Sequence, residues 1–506
     1  TDLKSFYVSA VYLTKNSSLR FNVINGKEKT YQAWNGIPES YLTTNRTYNS
    51  AGTEKPGSPY DNETDNYTQT HYQLFFNTKI NNTLNYSLAA FLTRGKGYYE
   101  QYKTEQNLAD YSLPDMIDGT DTISTTDLVR QLWLDNYFYG TIFSMNKKTD
   151  KSTFTVGGGA YKYDGKHYGL IQGADKGIPA DHKYYNLTAF KTDANVFAKV
   201  LHQFKSNFSY FIDLQLRNVK YDLNGFRNNP SILTDKVYTF FNPKLGLTYN
   251  KNNYQVYFSY SVGSKEPNRD DFEAVKTQIP QPEKLHDFET GFEKKGAKVS
   301  YGITGYYMYY HNQLVLTGKI NDVGAYTRTN TPQSYRLGLE LQSKLTINKW
   351  LATEGNITFS QNKIKSFTEY IDDYDNGGQI TNDYKNTAIS FSPSIISSGI
   401  VTITPFKNAD INLISKYVSR QYLDNTSKKE RSLDAYFTED VRLNYKLITR
   451  PFKELNFGLQ VINLFNKKYE PNGYTFSYLY GGSLATENYY FPMAGTNFML
   501  LMNVKL

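Results

Sequence analysis

Segment after segment of this chain alternates strictly between apolar and polar residues, and a period of two fits only a β-strand with one face of each kind. From Tyr210, one face reads Tyr210, Ile212, Leu214, Leu216 and the other Phe211, Asp213, Gln215, Arg217. Val299, Tyr301, Ile303, Gly305, Tyr307 and Tyr309 alternate in the same way with Lys298, Ser300, Gly302 and Thr304. So do Leu337, Leu339 and Leu341 with Gly338, Glu340 and Gln342, and Val441, Leu443, Tyr445 and Leu447 with Arg442, Asn444 and Lys446. Near the end, Leu455, Phe457, Leu459 and Val461 face away from Asn456, Gly458 and Gln460. No stretch carries the apolar stripe of an amphipathic helix. The chain reads as all-β.

The connections alternate too. Short turns are expected near 15–18, 81–85, 146–151, 206–207, 251–253, 293–296, 348–349, 407–408 and 449–453. Between them come loops of roughly 10 to 35 residues rich in Asn, Asp, Gly, Thr and Tyr, of which 31–66 and 102–125 are the longest early ones. Soluble sandwiches do not sort their loops so regularly by length. Outer-membrane barrels do, with short periplasmic turns and long extracellular loops.

The chemistry of the two faces supports a barrel in lipid. Arg, Glu, Asp, Lys and Gln stand in mid-strand on the polar face, which suits a wet lumen. The other face is Leu, Val, Ile, Phe and Tyr, which suits hydrocarbon, with tyrosines near strand ends as candidate girdles. The 47 Tyr and 31 Phe fit that setting better than a soluble enzyme or a disordered chain. A stack of soluble sandwiches is the competing reading, but this many even hairpins would need several of them. No apolar run approaches the ~20 residues of a spanning helix. With no cysteine, disulfides, thiolate metal sites and cysteine nucleophiles are excluded. The net charge of +8 is spread singly, without the basic stripe that nucleic acid requires.

About 19 strands can be counted, and their parity carries information. The first, at 3–14, runs into a short turn and so descends toward the periplasm; the last, at 495–506, descends as well. Bacterial barrels have even strand numbers, so about three upstream strands would complete a barrel of roughly 22, the size of plugged transporters. No signal peptide opens the chain, since Thr1-Asp2-Leu3-Lys4 already reads as strand. The whole of residues 1–506 is therefore expected to be one transmembrane antiparallel up-and-down β-barrel domain with a large polar lumen. On this reading the first and last strands are separated by a gap and the lumen is empty.

Val461-Ile462-Asn463-Leu464-Phe465-Asn466-Lys467-Lys468-Tyr469-Glu470 resembles the V-x-N-L-F-[ND]-x-x-Y signature near the end of TonB-dependent outer-membrane receptors. Ser264-Lys265-Glu266-Pro267-Asn268-Arg269-Asp270-Asp271-Phe272, the run from Tyr306 to Leu316, Ser334-Tyr335-Arg336-Leu337-Gly338-Leu339-Glu340 and the run from Lys416 to Thr426 fit the same family in its Bacteroidetes style. The resemblance covers the barrel portion only; the family's N-terminal plug and TonB box have no counterpart, and Leu506 stands where many outer-membrane proteins end in Phe. It implies a bacterial outer-membrane receptor that binds a scarce nutrient (iron-siderophore, haem, cobalamin or oligosaccharide) and passes it inward with TonB-coupled energy. Its implied partners are outer-membrane lipid, a small-molecule substrate and the TonB complex, reached through the absent N-terminal region, with no nucleic acid. A passive porin or adhesin-type barrel is the alternative.

Single motifs read more plainly as structure. Residues 463–469 should end a strand and shape a loop. The charges of 264–272 should be solvated, and Asp270 and Asp271 should diverge along an extended segment. Asp372-Asp373-Tyr374-Asp375-Asn376-Gly377-Gly378 has the look of a calcium loop, but a glycine falls at a ligand position and Tyr384 replaces the closing Glu, so a solvated loop is expected. Gly157-Gly158-Gly159 lacks the following Lys of a phosphate cradle and suits small residues on a barrel wall. His71, His167, His182, His202, His286 and His311 show no metal-binding spacing, and no nucleophile elbow is present. Neither a catalytic site, a metal site nor a cofactor is expected, and ligand-binding residues are not identified at this stage.

Overall fold

The computed structural model describes residues 1–274, 279–321 and 326–505. Among them, nineteen strands form one unbroken antiparallel ladder in chain order, from Asp2–Leu13 and Ser17–Tyr31 to Glu454–Ile462 and Asn497–Lys505. Four further strands join the same 23-stranded sheet at one rim: Ile37–Pro38, Gln379–Ala388, Asn472–Tyr480 and Ser483–Phe491. The described helices are short: two α-helices, Tyr41–Thr44 and Arg269–Ala274, and one 3₁₀ helix, Leu108–Tyr111.

Because each strand pairs with its chain neighbours, successive connections fall at opposite rims. All nine short turns, at 14–16, 80–83, 149–151, 206–207, 252–253, 295–298, 347–350, 404–408 and 448–453, share one rim and match the positions read from the sequence. The long connections, including 32–63, 108–124 and 463–496, share the other. The expected loop length of roughly ten residues or more fails at more than one connection: seven residues, 175–181, join Ser152–Ala174 to His182–Lys205. Only residues 227–228 separate Phe208–Phe226 from Asn229–Lys251, where a longer loop was expected. The physical reason lies on the outer face.

Along Phe208–Phe226, one face presents Phe208, Tyr210, Ile212, Leu214 and Leu216 and then changes to Asn218, Lys220, Asp222 and Asn224. The opposite face inverts at the same level, from Asp213, Gln215 and Arg217 to Val219, Tyr221 and Leu223. The first face is lipid-facing up to Leu216 and watery beyond it. Leu214 is 43% and Leu216 50% exposed, whereas Val219, Tyr221 and Leu223 are buried with Phe226, Phe240 and Phe272. Above the membrane the hairpin simply goes on zipping, because its outer face is polar and its inner face has a core to pack against. At the far end Leu455, Phe457 and Leu459 share the outer face, and Asn456 and Gln460 the inner one. There Arg442 donates to Gln460 at 3.4 Å and Asn444 to Asp410 at 2.7 Å.

The tyrosines divide between two tasks, of which only one was anticipated. Tyr72, Tyr139, Tyr301, Tyr307 and Tyr445 stand exposed on the outer face, as girdle residues should. Others lie flat on the inner wall over glycines. A Cβ at Gly338 would come within 2.3 Å of the Tyr306 ring, one at Gly291 within 2.2 Å of Tyr257, and one at Gly97 within 2.1 Å of the Asn66 carbonyl and 2.6 Å of Tyr67. In the Gly157-Gly158-Gly159 run, Phe197 covers Gly157 and Tyr161 covers Gly159. Those glycines are slots for rings.

The ladder curls far enough for its two ends to meet at the loop rim. Ile37–Pro38, in the connection after the second strand, pairs with Tyr489 and Tyr490 before the last strand. Arg46 bonds Glu470 at 2.6 Å across the same junction. Among the described residues, Asp2–Leu13 pairs only with Ser17–Tyr31 and Asn497–Lys505 only with Glu454–Ile462, and every residue of Asp2–Leu13 is exposed. Leu506 lies outside the described residues.

Leu214→Arg should cost about 2–4 kcal/mol in a refolding titration into lipid, while Gln215→Arg, on the lumen face, should be close to neutral. Equal costs would contradict the face assignment. Gly97→Ala should destabilise by about 1–3 kcal/mol through overpacking. Gly26→Ala, where an added Cβ meets nothing within 4 Å, should be neutral or slightly stabilising in the same titration.

Candidate ligand site at the loop rim

The chemistry gathers where the inner wall meets the long loops. The hairpin of Asn472–Tyr480 and Ser483–Phe491 lies across this end, its tip made by Gly481 and Gly482 at positive φ. Tyr478 and Leu479 pair in parallel with Asp372 and Asp373, at the end of strand Leu351–Asp373. The Asp375 carboxylate accepts the N–H groups of Gly481 and Gly482 at 2.7 and 2.8 Å, which clamps the tip. Asp373 accepts the N–H groups of Asp375 and Asn376, both at 3.0 Å, and so shapes the loop that carries the clamp. In the segment with the look of a calcium loop, residues 374–378 are exposed, Asp373 and Asp375 hold backbone, and Asp372 accepts from the Lys319 and Gln379 side chains.

Under this roof lies a cavity of about 490 Å³ whose walls include Lys319, Glu369, Asp372, Asp424, Arg431 and Thr475. Arg431, with its side chain almost wholly enclosed, donates to Glu369 and, at 2.9 Å, to Asp424. The Tyr384 hydroxyl donates to the other Glu369 oxygen at 2.9 Å. Lys319 pairs with Asp372 at 3.1 Å on the same wall. The Arg431 Nε is buried without a partner among the described residues. A buried guanidinium held by two carboxylates and with one donor unused is a preorganised polar anchor.

A second node overturns the solvated reading of 264–272. Glu266 is buried and accepts Lys191 at 2.6 Å and Arg217 at 2.7 and 2.8 Å; Arg217 also reaches Asp193 at 2.6 Å. Burial pushes the Glu266 carboxyl up, but its bonds from Arg217 and Lys191 outweigh that and bring it down to about 2. Asp270 and Asp271 sit on the helix Arg269–Ala274, not on an extended segment. Asp271 is buried in a two-pronged bond from Arg328, at 2.9 and 2.6 Å, while Asp270 is exposed. Phe272 plugs the apolar cluster described above. Pro267 ends the strand, and the following turn carries charge into the wall instead of out to water.

Beside this node the inner wall is aromatic and basic. Trp34 meets Tyr99 edge-on at 5.0 Å, and Tyr184 meets Tyr185 at 4.9 Å. Arg269 lies over Phe226 at 4.4 Å and is near enough to Tyr163, His167 and Tyr185 for its charge to act on each. Flat rings and cations on a lumen wall can stack a planar ligand and neutralise an anionic one. Among the described residues, no group of His, Asp and Glu is arranged to hold a metal ion.

Residues 463–469 do shape structure. Strand Glu454–Ile462 ends as expected; Asn463 is buried at positive φ, with its side chain donating to the Lys467 and Ala494 carbonyls at 2.9 and 3.2 Å. Sequence reasoning missed Glu369, Asp424 and Arg431. Glu369 lies near the end of strand Leu351–Asp373, whereas Asp424 and Arg431 share the connection between Ala409–Val418 and Tyr436–Leu447; each is an ordinary polar residue until the chain folds, and Asp424 alone lay inside a singled-out motif.

The protein-family model described as "TonB dependent receptor-like, beta-barrel" matches residues 6–464. No curated protein is significantly similar in sequence. In fold, the chain is similar to the ferric-catecholate import receptor Fiu from Escherichia coli K12 in its closed form, with a TM-score of 0.65 at 16% identity over 99% of this chain and 74% of that one. It is also similar to the siderophore receptor PiuA from Acinetobacter baumannii, with a TM-score of 0.69 at 12% identity over 99% and 74%. The unliganded ferric citrate transporter FecA gives 0.68 at 14% over 99% and 69%. The nineteen-strand ladder, its two unequal rims and the family match over most of its length agree: this chain belongs to the TonB-dependent receptor-like β-barrel family.

Proposed function

We propose that the protein is a bacterial outer-membrane import receptor whose barrel wall this chain forms. Its ligand docks at the loop rim, and energy delivered through TonB releases it inward. The observation that carries this reading is the roofed polar cavity beside an aromatic, basic inner wall, placed at the rim of the long loops. An iron-siderophore is the favoured cargo: rings on the wall suit catecholate or other planar chelators, and Arg269 suits their negative charge. The structurally similar proteins include a ferric-catecholate import receptor, a siderophore receptor and a ferric citrate transporter, which supports the same substrate class. No covalent chemistry is needed; differential binding between receptor states suffices for transport. We further propose that additional strands pair with the free edges of Asp2–Leu13 and Asn497–Lys505 and complete the wall, since unpaired backbone in lipid is costly.

The test is tyrosine and tryptophan fluorescence quenching of the full-length protein by a panel of ferric siderophores, haem, cobalamin and oligosaccharides. Saturable quenching by one ferric chelator is expected. Quenching by none of them, together with open solute flux through the protein in vesicles, would favour the passive porin instead. Arg431→Met should weaken that binding by roughly tenfold or more, because it strips a charged anchor and strands Glu369 and Asp424. Unchanged affinity would remove the cavity from the site. The Glu266 node should tolerate mild acid. A carboxyl whose folded pKa is depressed contributes stability above its unfolded value, and that contribution is lost as pH falls through the folded one. With Glu266 at about 2, hydrogen-exchange protection in the helix Arg269–Ala274, taken relative to the intrinsic exchange rate at each pH, should match at pH 7 and pH 5 and fall only as pH falls from the unfolded carboxylate range toward 2.

A further inference from the structure

The outer face carries a patch that import does not use. Above the apolar belt, register sets Lys96, Asp135 and Lys166 in one cross-strand row and Tyr98, Trp133 and Tyr168 in the next. By strand alternation these residues share the face of Leu88, Leu92, Phe143 and Val156, all exposed on the lipid side. The three rings form a column, with centroids 4.6 Å apart from Tyr98 to Trp133 and 5.7 Å from Trp133 to Tyr168. Four cations rest on rings here: Arg94 over Tyr137 at 4.3 Å, Lys96 over Trp133 at 5.4 Å, Lys162 over Phe190 at 5.5 Å and Lys183 over Tyr168 at 4.5 Å.

The charge of the patch is unbalanced. Asp135 takes up Arg94 at 2.5 Å and Lys96 at 3.8 Å. Asp164 shares the face, but Lys162, Lys166 and Lys183 have no ion pair among the described residues. Farther round the wall, just above the same belt, Lys220 is matched by Asp235 at 3.4 Å. Lys162 starts lower, in the row of Leu92 and Tyr139; lysines at and just above the belt lay their stems over apolar surface and hold their charge at the level of lipid headgroups. Aromatic rings prefer the same depth. The opposite charge available at that depth is phosphate.

We propose that this patch binds the phosphorylated headgroup of an outer-leaflet lipid, with Lys96, Lys162, Lys166 and Lys183 facing the phosphates and Tyr98, Trp133 and Tyr168 packing beneath them. The proposal rests on the outer-membrane reading above. It is tested with the full-length protein in detergent micelles, by native mass spectrometry. The probe is a bis-phosphorylated, acylated diglucosamine glycolipid, compared with its dephosphorylated form. The native protein should retain the phosphorylated probe at least ~tenfold better, and K96Q/K162Q/K166Q/K183Q should lose that preference. Equal retention of both forms, or an unchanged preference in the variant, overturns the proposal. Displacement of the glycolipid by excess inorganic phosphate would overturn the lipid as occupant in favour of a free anion. Insertion into phosphatidylcholine vesicles is scored in parallel by protease protection. Failure of both proteins to insert overturns the membrane reading, whereas insertion without a phosphate preference overturns the patch alone.

Discussion

Hydrocarbon offers a peptide group no water, so every N–H and C=O in a membrane-crossing wall must be paired by another strand. The rest of this structure follows from that requirement. Satisfying it with neighbours in chain order gives an up-and-down ladder, and an up-and-down ladder sends successive connections to opposite rims. One rim is then free to keep its turns tight while the other grows loops, and function can collect only at the second. The inversion of polarity on Phe208–Phe226 marks where the requirement lapses. Beyond Leu216, water satisfies the outer face and a small core satisfies the inner one, so the hairpin continues without lipid.

What the sequence made legible is what this local requirement controls. Alternation named the faces of Ile212, Leu214 and Leu216 against Asp213, Gln215 and Arg217, and turn chemistry located all nine tight turns, because both depend on residues a few positions apart. What escaped depends on distant ones. Glu266 looked solvated since its neighbours in sequence are polar; its real partners, Lys191 and Arg217, come from strands dozens of residues upstream. The inward tyrosines had no role in the alternation, and only the register that lays Tyr306 on Gly338 or Tyr257 on Gly291 shows that they cover glycines. Arg431, Glu369 and Asp424 carry no spacing signal at all.

The two ion-pair nodes do similar work on different elements. Burying charges is expensive, and a buried pair is weak evidence for stability in itself. Its value lies in direction: two-pronged guanidinium bonds tolerate little rotation. Arg328 on Asp271 fixes the helix that puts Phe272 into its cluster and Arg269 at the lumen wall. Arg431 on Glu369 and Asp424 ties a loop to the end of a strand and sets one wall of the cavity. Asp375 adds a third tie, gripping the roof hairpin by its backbone. Loops that would otherwise sample many shapes are thus held in one, which lowers the entropy a ligand must remove on binding.

The long last connection therefore acts as roof and clasp together. Its hairpin covers the cavity, and through Tyr489 and Tyr490 it pairs with Ile37–Pro38, while Glu470 holds Arg46. These contacts join the two ends of the ladder at the watery rim, where backbone groups also have solvent. They do nothing for the edges of Asp2–Leu13 and Asn497–Lys505 lower down, where the outer faces are apolar and no water reaches. A rim contact can set the distance between two edges, but only strands can fill it in lipid. The proposed extra strands would thus be added between edges whose rim ends the roof already ties together, so that closing the wall and shaping the ligand site would be two results of the same clasp.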